Sequence, residues 1–189
     1  MQQMIDAYKQ TLDHTGTIVA NVKPDQFDGE TPCSNFTTKE LLNHIIGGHY
    51  FFADVVAGKP VDADAPVPDL AGDDPASAYE ASSKMILDVV SAPDFFAGSY
   101  TFPFGTLAGP AAMGIALLES VAHGWDLATA TGQDATVDPM VASMLLAGAR
   151  QAISPEIRNE SGNPFGPEIA VPDSASPTDK LVAFLGRTP

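Results

Sequence analysis

A glutamate and a histidine stand one helical turn apart in the run ESVAH at residues 119–123. Four residues turn a helix by about 400°, so the two side chains point in nearly the same direction. Glu119 could offer a carboxylate oxygen and His123 an imidazole nitrogen to a metal ion. Asp126 continues the stripe, and we expect it to orient a histidine or to assist proton transfer, which makes it the candidate catalytic residue. The spacing is also typical of an ordinary surface pair.

A metal site built on this pair needs a third ligand, and His44 is the natural candidate. It lies between the apolar pairs 41–42 and 45–46, and small residues follow on its own helical face. His49 is turned about 140° from His44 around the helix, so one metal cannot easily take both. His14 follows Asp13 in the first helix and is a weaker candidate. The alternative for His44 is a buried core histidine without a ligand role.

The chain has one cysteine, Cys33, which excludes an internal disulfide. A cysteine could act as a nucleophile if its surroundings lower its pKa, but without such surroundings it behaves as a small apolar residue. Its place shortly before a predicted helix favours a packing role.

The elements that must position these side chains are helices. Thr37 followed by Glu40 forms a capping-box pattern ahead of an apolar run, and Gly132 stops the helix that carries the Glu–His pair. Apolar periodicity and turn residues predict helices at residues 1–21, 37–58, 76–90, 110–131, 139–150 and 177–186. Residues 61–75 and 156–178 are predicted loops, and 95–109 is irregular or a short hairpin. We therefore predict an all-α bundle in a single domain over residues 1–189.

Composition excludes several function classes. The 189 residues carry 24 acidic and 9 basic side chains, a formal net charge of −15. Such a chain repels phosphate backbones and anionic lipids, so we expect neither nucleic acid nor membrane as a partner. The uncharged stretch 99–118 is long enough to span a membrane, but its glycines and prolines favour a loop followed by a buried helix start. The charged N-terminal segment does not look like a signal peptide, which predicts a cytoplasmic location.

Several motifs resemble one family. The letters TPC at 31–33, FT at 36–37 and ELLNH at 40–44 resemble the start of the second helix in the DinB-like superfamily. The run EsvaHGWDLA from Glu119, followed by TG at 131–132, is similar to the fourth-helix signature of the metal-binding domain of mycothiol-dependent maleylpyruvate isomerases. The FGPE at 165–168 and the C-terminal helix resemble an uncharacterised actinobacterial subgroup of that family. The resemblance covers nearly the whole chain.

The resemblance implies a DinB-like four-helix bundle with one or two additional short helices and a divalent metal, zinc or nickel. It implies His44, Glu119 and His123 as the metal ligands, and mycothiol as a possible co-substrate. Phe36 replaces the tryptophan that the family has before the capping threonine. The isomerases carry a second domain after the bundle, for which this chain is too short. No arginine precedes Arg150, so cations for a dianion such as maleylpyruvate are scarce.

Three functions are compatible with these ligands. The first is a metal-dependent transferase or isomerase in which a thiol attacks a small electrophile. The second is a hydrolase that uses metal-bound water. The third is a non-catalytic metal-binding bundle used for dimerisation or metal buffering. Bundles of this type often pair, so we expect a homodimer.

Overall fold

The computed structural model describes residues 1–62, 66, 68–154, 158 and 165–189. The described residues form two compact units, Met1–Gln133 and Asp134–Pro189. They contain six α-helices and one two-stranded antiparallel sheet. The predicted all-α fold class is confirmed, whereas the single domain over residues 1–189 stays a prediction.

The first unit is a bundle of four helices. They are α1 (Gln2–Ala20), α2 (Thr38–Val56), α3 (Pro75–Val90) and α4 (Gly109–Thr131). Both α1 and α2 pack against α3 and against α4. Each helix therefore turns an apolar face towards the centre, where leucine, isoleucine and aromatic side chains are buried.

Local sequence sets the ends of the helices that matter for the site. The Thr37 backbone N–H donates to Glu40 Oε2 at 2.8 Å, and the Glu40 N–H donates to Thr37 Oγ1 at 3.3 Å. This reciprocal capping box begins α2, as the sequence predicts. Helix α4 ends at Gly132, which adopts φ 69°, a left-handed conformation that glycine accepts readily.

A hairpin precedes α4. Its strands are β1 (Ser99–Phe102) and β2 (Gly105–Ala108). Of the two predictions for residues 95–109, irregular structure or a short hairpin, the hairpin is the one that forms. Phe102 is buried and its ring lies 5.5 Å from that of Phe52 on α2. The uncharged stretch 99–118 is thus a hairpin and the first turns of a bundle helix. Among the described residues, no helix is both long and apolar enough to cross a membrane.

Specific polar contacts fix the helices of the first unit to one another. The Tyr79 hydroxyl of α3 donates to the Leu12 carbonyl of α1 at 3.0 Å. His49 of α2 and Ser82 of α3 are hydrogen-bonded at 2.9 Å. Gly124 of α4 lies so close to Thr15 of α1 that a Cβ at this position would be 2.7 Å from Thr15 Oγ1. A side chain there would force Thr15 or the two helices to shift.

The second unit contains α5 (Pro139–Ala152) and α6 (Pro177–Phe184), which pack against each other. Ser176 and Asp179 form a capping box at the start of α6. The predicted terminal helix extends to residue 186, whereas α6 ends at Phe184 and Gly186 follows with φ 89°. Parts of the predicted loops 61–75 and 156–178 lie outside the described residues.

Candidate metal centre

Two helices supply the predicted ligands. His44 lies in the middle of α2, and Glu119 and His123 lie one turn apart on α4, which packs against α2. Glu119 Oε2 is 3.3 Å from His123 Nε2 and 3.8 Å from His44 Nε2. One ligand atom from each of the three residues lies within 4.8 Å of the other two. The structure therefore brings together the three residues that the sequence selects, from positions that are 75 residues apart in the chain.

The cluster is open on one side. The His123 side chain is 11% exposed, that of His44 33% and that of Glu119 51%. One histidine is thus set into the bundle while the carboxylate borders solvent. Glu119 is thus the most exposed side chain of the cluster.

Aromatic packing holds the two imidazole rings. The His44 and His123 ring centroids are 4.7 Å apart, with the ring planes at 84°. The Phe36 ring stacks on the His44 ring, with the centroids 4.7 Å apart and the ring planes at 25°. The sequence marks Phe36 only as the residue before the capping threonine, so its role as a support for His44 was missed. The capping box is the signal that could have found it, because it fixes Phe36 just ahead of the helix that carries His44.

Asp126 contacts the ring nitrogen of His123 that is not directed at Glu119. Its side chain is fully buried, and Oδ2 lies 3.1 Å from His123 Nδ1, where it can accept that N–H. A carboxylate on the far nitrogen is the arrangement that orients metal-binding histidines in many proteins. Asp126 therefore lies where a residue that orients His123 would lie, and both its orienting role and its catalytic role stay predictions.

The charges of the cluster are mutually stabilising. Partial desolvation raises the pKa of Glu119, but hydrogen bonds to His123 and His44 outweigh it and hold that pKa well below its usual range. Desolvation lowers the pKa of His123, but its hydrogen bonds to Asp126 and Glu119 prevail and raise it to about 9. At neutral pH, without a metal, His123 is therefore a cation between two carboxylates.

The two remaining histidines lie outside the cluster, as the sequence analysis expects. His49 is 5% exposed, and burial lowers its pKa to about 4. Its ring lies 5.5 Å from that of Tyr79. His14 is exposed on α1.

Cys33 also lies in a place that the sequence does not predict. Its sulfur, a His123 nitrogen and an Asp126 oxygen lie within 4.8 Å of one another. Cys33 is half-buried, and it stands in the loop just before α2. Because that loop leads into the helix that carries His44, the start of α2 could have suggested this proximity.

Together, the fold and the site define a class: a four-helix bundle with a histidine–glutamate–histidine cluster shared by its second and fourth helices. Residues 9–128 match the sequence profile of the mycothiol maleylpyruvate isomerase N-terminal domain family. The match covers more than half of the chain, and the protein belongs to this family. The helices of the first unit are accordingly those of an all-α DinB-like bundle. All three predicted ligand residues lie inside the matched range.

The chain is also similar to uncharacterised proteins of two Mycobacterium tuberculosis strains, CDC 1551 and H37Rv. Each is 34% identical over 182 residues, which cover 96% of this chain and 96% of the relative. The similarity therefore extends through both compact units. No solved structure gives a significant match to the chain.

Proposed function

We propose that the protein binds one divalent cation, zinc or nickel, through His44, Glu119 and His123. We propose further that it uses this cation in a thiol-dependent transfer or isomerisation reaction on a small electrophile. One observation carries the proposal: histidines from two helices direct their Nε2 atoms at the same oxygen of Glu119, at 3.3 and 3.8 Å.

The donor set fits such a cation. Two imidazole nitrogens and one carboxylate oxygen are the ligands of many catalytic zinc sites, and imidazole also suits nickel. Three protein ligands would leave positions for other molecules, and the exposure of Glu119 supports an orientation of those positions towards solvent. This openness favours a catalytic role over a closed structural site.

A bound cation would act as a Lewis acid that lowers the pKa of a coordinated thiol. The protein's own residues would position the reaction. Asp126 holds the proton on His123 Nδ1, which directs Nε2 towards the cluster. Phe36 stacks on one face of the His44 ring and would restrict its rotation.

The family membership supports mycothiol as the thiol. The distribution of cations limits the electrophile. All three arginines, Arg150, Arg158 and Arg187, lie in the second unit, while the first unit carries the cluster. A substrate with two negative charges would find no guanidinium of this unit beside the cluster. We therefore propose a neutral or singly charged electrophile.

The test is metal-dependent conjugate formation. Protein reconstituted with Zn²⁺ or Ni²⁺ is incubated with mycothiol and a panel of epoxides, enones and aryl halides, and products are identified by mass spectrometry. We expect thiol adducts or isomerised products with the wild type and with Glu80→Gln, a control at an exposed glutamate of α3. Glu119→Gln should lose this activity because it removes the carboxylate ligand.

Equal product formation without metal, or with Glu119→Gln, would contradict the proposal. Metal-dependent hydrolysis without incorporation of the thiol would instead support the hypothesis of a hydrolase that uses metal-bound water. The homodimer, the cytoplasmic location and the absence of nucleic-acid and membrane partners stay predictions.

A further inference from the structure

Cys33, His123 and Asp126 form a second group of possible ligands. A ligand atom from each lies within 4.8 Å of the other two. The group shares His123 with the first cluster, but Cys33 replaces His44 and Asp126 replaces Glu119. It is also the more enclosed of the two, since Asp126 is fully buried and His123 nearly so.

The loop that carries Cys33 is held in place. The Cys33 carbonyl accepts from the Phe36 N–H at 2.9 Å and lies 2.8 Å from the Thr31 hydroxyl. Glu30 and Thr37 form a β-bridge across the base of the loop. Phe36 in turn stacks on His44. The position of the thiol beside His123 is therefore set by several contacts of its own backbone and loop.

The three donors suit a thiophilic cation. A thiolate, an imidazole and a carboxylate bind zinc at about 2.0–2.3 Å, which places tetrahedral ligand atoms about 3.5 Å apart. The present spread of up to 4.8 Å would therefore have to contract when a cation binds. On binding, the Cys33 S–H bond breaks, a sulfur–metal bond forms and the proton leaves to solvent.

We propose that Cys33, His123 and Asp126 form a second site, for a thiophilic divalent cation, which needs neither His44 nor Glu119. The site goes beyond the proposed reaction, because it uses a residue that the reaction does not employ. Zinc would enter either site, whereas a softer ion such as Cd²⁺ would prefer the thiolate.

The test is a Cd²⁺ titration followed by the ultraviolet absorption of cadmium–thiolate bonds. Because Cys33 is the only cysteine in the chain, this absorption reports on that residue alone. We expect a band that saturates at one ion per chain in the wild type and equally in His44→Ala. Cys33→Ser should abolish it. Asp126→Asn and His123→Gln should each weaken Cd²⁺ binding at least about tenfold.

Three results would overturn the proposal. They are the absence of a band in the wild type, its loss in His44→Ala, and unchanged Cd²⁺ affinity in both His123→Gln and Asp126→Asn. The last would mean that the thiol binds cadmium alone. His123→Gln keeps the test valid if Asp126→Asn does not fold, as judged by circular dichroism. Failure of the site formed by His44, Glu119 and His123 is detected separately. Cys33→Ser lacks the second site, and it would then bind neither zinc nor nickel.

Discussion

Acid should destabilise the bundle through one buried histidine that is not part of the cluster. His49 is 5% exposed and contacts Ser82 and Tyr79 of α3. Burial disfavours its charged form and lowers its pKa from 6.5 to about 4. The folded state therefore binds this proton less readily than the unfolded state does.

The sign and size of this effect on the free energy of unfolding follow from the difference between the folded and unfolded pKa values of His49. The contribution of neutral His49 to stability is fully present above pH 6.5 and is lost as the pH falls from 6.5 through 4. At about 1.36 kcal/mol per pH unit, the whole effect is about 3 kcal/mol. About 2 kcal/mol of it should be lost between pH 7 and pH 5.

Urea unfolding of the wild type, His49→Gln and His14→Gln at a series of pH values measures this loss. Other titrating groups are common to the three proteins and cancel in the differences. We expect His49→Gln to lose about 2 kcal/mol less than the wild type between pH 7 and pH 5. His14→Gln, which removes an exposed histidine of α1, should follow the wild type. Parallel pH curves for wild type and His49→Gln would show that His49 does not cause the loss of stability in acid.

Two further predictions concern α4. Gly124→Ala should destabilise the protein by about 1–3 kcal/mol in urea unfolding, because the added Cβ would lie 2.7 Å from a threonine oxygen of α1. Gly114→Ala is the matched control: among the described residues, no atom beyond its chain neighbours and its own helix backbone lies within 4 Å of the added Cβ, so helix propensity should make it neutral or stabilising. Asp126→Asn should weaken Ni²⁺ binding about 10–100-fold in a chelator competition carried out in the Cys33→Ser background, because His123 loses its orienting carboxylate. Unchanged affinity would show that Asp126 does not orient the ligand.

The parts of this structure that could be predicted from the sequence depend on local rules. The capping box at Thr37 and Glu40 begins α2, and Gly132 ends α4. Helical periodicity alone places Glu119 and His123 on one face. His44 is selected as the third ligand by its place among apolar residues and by the small residues on its face, and the family resemblance implies the same ligand. Periodicity does not say which helices meet.

The parts that could not be predicted depend on contacts between distant segments. His49 finds Ser82, 33 residues further along the chain, through the packing of α2 on α3. Cys33 lies close to His123 and Asp126 on α4, a helix far along the chain, through the packing of its loop. Neither contact leaves a periodic signal in the sequence.

The most direct test of the metal centre is the metal content of protein purified without a histidine tag. Cys33→Ser serves as the background, so that the thiolate site does not contribute. Elemental analysis should find about one zinc or nickel ion per chain in this background and with His14→Ala added. It should find almost none when His44→Ala or His123→Ala is added, with all variants folded. A chain that takes up neither metal, or that keeps it in both ligand variants, would contradict the account.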